Sequence, residues 1–319
     1  MTALTTISQT SLPAIMKAEM QAAINFALAE KSPATRRAYQ SDFKQFEAYC
    51  ARRDLTPVPA TTSTAAAYLA YLATQGLRPS SIQRAAAAIR YAHRLAGHEA
   101  PTNAETVKAT MRGIRRTVGA AKAPKTAATS DCVRDMLAAC PDTLRGKRDR
   151  ALLALGFAGA FRRSELEALT VADLVEKADG YEVVIRTSKT DQTGEGQTIA
   201  IPQGSRMKPV EAVMAWLKAA GITAGPIFRP INKGGKVAEQ AMTGESIAAV
   251  VKQYAKLCGY DPAHYAGHSL RAGFLTSAAE AGSSVFKMME VSRHKSIDTL
   301  RHYVRRADLF KDHAGASFL

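Results

Sequence analysis

Tyr303 stands among cations in this 319-residue chain, with Arg301 and His302 before it and Arg305 and Arg306 after it. A phenol ionises at about pH 10, so at neutral pH it acts as a nucleophile only where positive charge stabilises its oxyanion or a base takes its proton. Arg293-His294 lies a short way upstream. In Gly267-His268-Ser-Leu-Arg271 an imidazole and a guanidinium stand three residues apart, the spacing of one helix face. Phe161-Arg162-Arg163-Ser-Glu165-Leu166 sets two arginines and an acid at the end of the apolar helical stretch 151–161. Guanidiniums are rigid, bidentate and permanently charged, which suits the non-bridging oxygens of a reacting phosphate. Histidines titrating near neutrality can donate hydrogen bonds or exchange protons beside them.

Each piece also has a plainer reading. The paired arginines can complement the C-terminal dipole of the preceding helix. Tyr303 can be an amphipathic packing residue. His264 and His268 have the i,i+4 spacing of metal ligands, but Gly267 would fall inside that helix and no Glu follows the first His as a zinc protease requires. No metal site is expected. Lys233-Gly-Gly-Lys236 lacks the spacing of a phosphate-binding loop and reads as a basic turn.

The chain that must position these groups is long enough for two domains, each with its own core. It is 46% hydrophobic and 22% charged, ordinary for a soluble protein, and no apolar run approaches bilayer length. The Ser- and Thr-rich start has neither the basic nor the apolar segment of a signal peptide, so a cytoplasmic location is expected. Cys50, Cys132, Cys140 and Cys258 lie far apart, consistent with reduced thiols and no structural zinc. The formal net charge of +15 favours a polyanionic partner, nucleic acid above others. Residues 1–120 carry 15 Lys and Arg against 7 Asp and Glu, and the remainder 28 against 21, so both halves must face it.

Local patterns divide the chain further. After an N-terminal extension (1–31), Ser32-Pro33 caps an amphipathic helix carrying Tyr39, Phe43, Phe46 and Tyr49. Helices succeed it over about 63–76 and 80–97, and Thr102-Asn-Ala-Glu105 has capping-box spacing for a fourth ending near Thr117. The helical domain therefore spans 32–117. Residues 118–129 read as a linker, leaving 130–319 as a second domain. In it, 181–187 and 197–202 alternate as strands around a turn, and helices resume over about 208–220, 244–258, 268–281 and 296–304.

Taken in order, an Arg, a Lys on a β-hairpin, His-x-x-Arg, a His and a Tyr nine residues later resemble the tyrosine recombinase (phage integrase) superfamily. The resemblance runs from about Ser32 to the C-terminus. In the helical half it is to Cre-like members, through Ser32 to Cys50, Ser81-Ile-Gln-Arg84, Tyr91 to Gly97 and Met111 to Thr117. It implies a mainly α fold: an all-helical core-binding domain that clamps DNA, plus a mixed α/β, mostly helical catalytic domain with a small antiparallel sheet. By the same resemblance Arg162 is the first catalytic arginine and Glu165 the acid supporting it. Lys189 protonates the leaving 5′ oxygen, His268 and Arg271 form the second pair, His294 fills a His or Trp position, and Tyr303 is the nucleophile. Ala272 replaces a second His found in many members, and Ser292-Arg293 replaces the usual Leu-Gly.

The function implied by the resemblance is site-specific cutting and rejoining of duplex DNA through a 3′-phosphotyrosine, without metal, ATP or any other cofactor. The implied partner is double-stranded DNA with inverted-repeat sites, bound by a homo-tetramer that is a monomer when free, with no membrane association. Arg37, Arg84, Arg90, Arg94 and Arg163 are the expected DNA contacts. The tail through Leu309, Phe310 and Phe318 packs either on a neighbouring protomer or on its own domain. Two alternatives stay open: relaxation of supercoils by a type IB topoisomerase, and a DNA-binding regulator with a silent site.

Overall fold

The computed structural model describes residues 14–119, 125–186 and 196–307. Its contacts divide near residues 123 and 124 into two units.

The first unit is built of α1 (Ala14–Ala29), α2 (Pro33–Ala51), α3 (Thr62–Thr74), α4 (Pro79–Leu95) and α5 (Glu105–Val118). The Ser32 hydroxyl accepts from the Thr35 amide, so α2 starts where the Ser-Pro pair predicts. α1 was not expected from the sequence. The fourth helix begins differently too: Thr102 lies buried in a 3-10 turn, Pro101–Asn103, and Ala104 is the cap, without a side-chain bond. Phe46, Tyr49 and Cys50 of α2 pack with Tyr68, Leu69 and Leu72 of α3, Ile82 and Ile89 of α4, and Val107, Met111 and Ile114 of α5. Each such aliphatic side chain removed from water contributes about 1.5–3 kcal/mol before the entropy of ordering it.

The second unit contains α6 (Ser130–Ala138), α7 (Leu144–Ala158), α8 (Arg163–Ala168), β1 (Leu174–Lys177), β2 (Gly180–Ile185) and β3 (Gln197–Pro202). After these come α9 (Pro209–Ala220), α10 (Gly244–Leu257), α11 (Ser269–Glu280), α12 (Val285–Ser292) and α13 (Asp298–Ala307). The strands form one antiparallel sheet in the order β1-β2-β3, with Val183 opposite Ile199 and Tyr181 opposite Ile201. β1 is an addition to the two-stranded expectation. The fold is thus mainly α, a helical unit followed by a mostly helical unit with a small antiparallel sheet.

α7 is the centre of the second unit: its charged first half gives way to a second half, Ala151 to Leu155, that is fully buried and apolar on all sides. It ends at Ala158, earlier than its apolar run suggests. Before α6, the stretch 125–129 is extended and held down: Thr126 and Ala128 donate backbone bonds to His264 and Ser269. Gly273 of α11 lets that stretch approach, since a Cβ there would lie 1.6 Å from the Ala128 carbonyl oxygen. Among the described residues, no helix is long and apolar enough to cross a membrane.

Candidate active site

The tight turn after α7 sets the first arginine. Ala160 has φ +45°, and a Cβ on Gly159 would lie 2.2 Å from the Phe161 ring, so the turn needs a residue without a side chain at 159. Arg162 is then not at the end of a helix, as the sequence suggested, but caps the start of α8. Its amide donates to Glu165 Oε2 at 2.8 Å and its Nη1 to Oε1 at 2.6 Å. An acid in the first turn complements both the helix dipole and the otherwise unpaired amide.

Arg271 comes from α11 and is 1% exposed. Its Nη1 donates to the Ala160 carbonyl at 2.9 Å, and its Nη2 lies 3.2 Å from His294 Nε2. His294 follows α12, and its tautomer can be worked out. The Ser292 hydroxyl donates its proton to the Met288 carbonyl at 2.5 Å, so at 2.7 Å it must accept from His294 Nδ1. The proton is therefore on Nδ1, which leaves Nε2 as the acceptor for Arg271, whose Nη2 lies 3.3 Å from Nδ1 and 3.2 Å from Nε2.

Charges fix the resting protonation states. Burial, then Arg271, Arg162, His268 and Arg293, push His294 down to about 3, so its ring is neutral at physiological pH. Burial, with the neighbouring Arg162 and Arg293, lowers Arg271 to about 9, which leaves it charged at neutral pH. Burial alone would raise Glu165, but Arg293 and Arg162 outweigh it and hold the carboxyl below its ordinary range.

Tyr303, on α13, packs half-buried against a small apolar cluster of Leu275, Ala279, Met288 and Leu300. Burial raises its phenol pKa and Arg271 opposes the rise, without cancelling it. The phenol from α13 thus lies within the field of the α11 guanidinium, in one and the same chain. It is protonated at rest.

The remaining candidates divide. His268 caps α11 with its side chain exposed, where it acts electrostatically on His294; it and Arg271 differ fully in burial despite their spacing. Arg163 is exposed, its stem laid across Gly267 and Gly244, where added Cβ atoms would come within 3.1 and 2.7 Å of it. Lys189 lies outside the described residues. In the helical unit Arg37 and Arg94 are exposed, Arg84 forms a bidentate pair with buried Asp42, and Arg90 Nε donates to Thr102 at 3.3 Å. A concave face between α4 and α5 gathers Arg90 with Lys108, Arg112 and Arg115, three cations that the sequence did not single out. The sequence named Arg293 beside His294 but gave it no role; it is buried beside Glu165. Its one signal was a large residue in the place of a glycine.

Comparison with known proteins gives the family and the fold. Residues 127–309 match the phage integrase family, and residues 26–100 match the N-terminal SAM-like domain of phage integrases. The integrase/recombinase xerD homolog of Selenomonas ruminantium is 37% identical over 295 residues, covering 89% of this chain and 86% of that protein. Recombinase cre of Escherichia phage P1 is 23% identical over 284 residues, 83% of this chain and 82% of that one, so the likeness is not to Cre in particular. The fold matches the XerH site-specific recombinase bound to a palindromic difH substrate in a post-cleavage complex, with TM-score 0.59 and 15% identity over 81% of this chain and 72% of that one.

Proposed function

Because this chain belongs to the phage integrase family, we propose that its buried arginine cluster and Tyr303 form the centre of a site-specific DNA recombinase. The enzyme is a tyrosine recombinase, and its reaction is DNA cleavage and rejoining. The observation that carries the assignment of the centre is that α13 packs on α11 and brings the half-buried Tyr303 into the field of the buried Arg271, whose charge favours the phenolate against the effect of burial.

In this reading the Tyr303 oxygen attacks the scissile phosphorus, its proton passing to His268, and the bond from phosphorus to the 5′ oxygen breaks. Arg162 and Arg271 receive the charge that builds on the non-bridging oxygens. Neutral His294, holding its Nδ1 proton toward Ser292, accepts from Arg271 until phosphate competes for that donor. Lys189 supplies the proton to the leaving 5′ hydroxyl. The covalent 3′-phosphotyrosine conserves the bond energy, so a 5′ hydroxyl of a second strand reverses the step without nucleotide or metal. The same reading takes Arg37, Arg94 and the Arg90, Lys108, Arg112 and Arg115 face as phosphate and base contacts of the helical unit, with Arg163 contributing from the catalytic unit. It further takes the free protein as a cytoplasmic monomer that forms a tetramer on paired inverted-repeat sites.

The test is capture. The protein is incubated with a random duplex library in EDTA and denatured, and DNA retained on Tyr303 is sequenced. A recurring inverted repeat, recombined when two copies are supplied, is the expected result. Retained DNA without a common sequence, together with relaxation of supercoiled plasmid, would point to a topoisomerase instead. No retained DNA would overturn the assignment.

A further inference from the structure

Resting on this reading of the site, we propose that Arg293 is a positioning residue: its guanidinium locks the turn after α7 to the loop before α13 and so sets the spacing of Arg162, Arg271 and His294. It ends α12 in the left-handed conformation, φ +58° and ψ +42°, which favours glycine. A long, charged side chain persists there while only 3% exposed, a combination that sequence propensity disfavours twice.

The bonds it makes explain the persistence. Its Nη1 donates to the carbonyls of Gly159 at 2.9 Å and Val291 at 2.5 Å. Its Nη2 donates to Ala160 at 3.1 Å and to Glu165 Oε2 at 2.7 Å. The Ala160 carbonyl is the one that Arg271 also holds, and Glu165 is the carboxylate that Arg162 holds. The Arg293 carbonyl in turn accepts from Arg162 Nη2 at 3.3 Å. Arg162 is thus bonded to the Arg293 carbonyl, Arg271 shares the Ala160 carbonyl with the Arg293 guanidinium, and His294 is its neighbour in the chain. The fork makes its bonds at the expense of its own Nε, which is buried without a partner.

Charge acts in the same direction. Arg162, Arg271 and Arg293 repel one another, and Glu165 is the anion that offsets them. A lysine offers one point of charge and cannot span three carbonyls and a carboxylate with planar geometry. A glycine relieves the backbone and leaves the two loops untied.

The experiment measures single-turnover cleavage at saturating protein, with binding to the same duplex measured separately. The duplex is a nicked one carrying the sequence recovered from wild-type covalent complexes. Arg293→Gly and Arg293→Met should cleave on the order of ten to a hundred times more slowly while their Kd changes less than about threefold, the signature of misplaced rather than missing groups. Arg293→Lys should recover part of the loss. Glu165→Gln combined with Arg293→Met should lose less than the product of the two single losses, because the two residues are bonded to each other within one network. Arg293→Gly removes a strained residue and is expected to fold; if it does not, the Met and Lys variants decide the matter. Cleavage by these variants within about twofold of wild type, or losses that multiply in the double variant, would overturn the role of Arg293 while leaving the recombinase reading intact. Absence of a wild-type adduct would overturn both.

Discussion

Arg162 and Arg293 divide the two oxygens of one buried carboxylate: Glu165 Oε1 accepts from Arg162 at 2.6 Å and Oε2 from Arg293 at 2.7 Å. Because the folded protein holds the Glu165 pKa below its ordinary value, its charge adds stability above the unfolded glutamate value, about 4.3, and that contribution is lost as pH falls through the folded value. Glu165→Gln should therefore lower Tm at pH 7, and the gap to wild type should narrow below about pH 4. The neutral-pH cost should reach a few kcal/mol, as expected for breaking a buried pair. Equal melting of the two proteins at pH 7 would contradict the arrangement.

Tyr303→Phe keeps the ring in the Leu275, Met288 and Leu300 cluster and removes only the oxygen. Specific DNA binding should survive and the covalent adduct should vanish from denaturing gels. An adduct of normal yield would assign the nucleophile elsewhere.

Arg162→Ala and Arg271→Ala each remove a donor aimed at developing charge. Cleavage should fall by roughly 10² or more in either, the scale of losing one such donor. The Arg271 variant should also destabilise the fold, since Ala160 and His294 both lose a partner. A cleavage rate close to wild type would remove that arginine from the chemistry.

His294 offers a spectroscopic check. Its pKa is lowered to about 3 by burial and by the cations around it, so in the DNA-free protein its ring resonances should stay those of the neutral, Nδ1-protonated form down to pH 5. Titration near the ordinary histidine value of about 6.5 would show that the ring is not held among those charges.

Two glycine-to-alanine changes should have opposite signs. At Gly273 the new Cβ would strike the Ala128 backbone, so Gly273→Ala should cost on the order of 3 kcal/mol. At Gly113, inside α5, nothing lies within 4 Å, so Gly113→Ala should stabilise by about 0.5–1 kcal/mol through helix propensity. Urea denaturation of both variants measures the pair.

Much of the fold was legible because its signals are local. The Ser32 cap, the alternation of β2 and β3, and the bounds of α9 and α10 each depend on neighbours a few residues away. What escaped was set by distant contacts. Thr102 has the spacing of a cap but is buried under α4 and bonded by Arg90, so the helix starts later. Arg162 looked like the end of a helix because the apolar run continues through Phe161, yet the Gly159–Ala160 turn interrupts it. Arg293 showed as a neighbour of His294 and as a departure from a family pattern, and no short-range rule could link it to an acid 128 positions earlier.

By itself the sequence determined the inventory and its order: a helical unit before a mixed one, and three arginine segments, two of them carrying a histidine, ahead of a tyrosine. Amphipathic periods, caps and charge are carried by adjacent residues, so they can be read from one strand of text. Only tertiary structure decided which cations lie buried together, which imidazole is neutral, and which arginine spans two loops. Those properties arise from desolvation and from charges brought together by α7, α11, α12 and α13, and neither exists until the chain has folded.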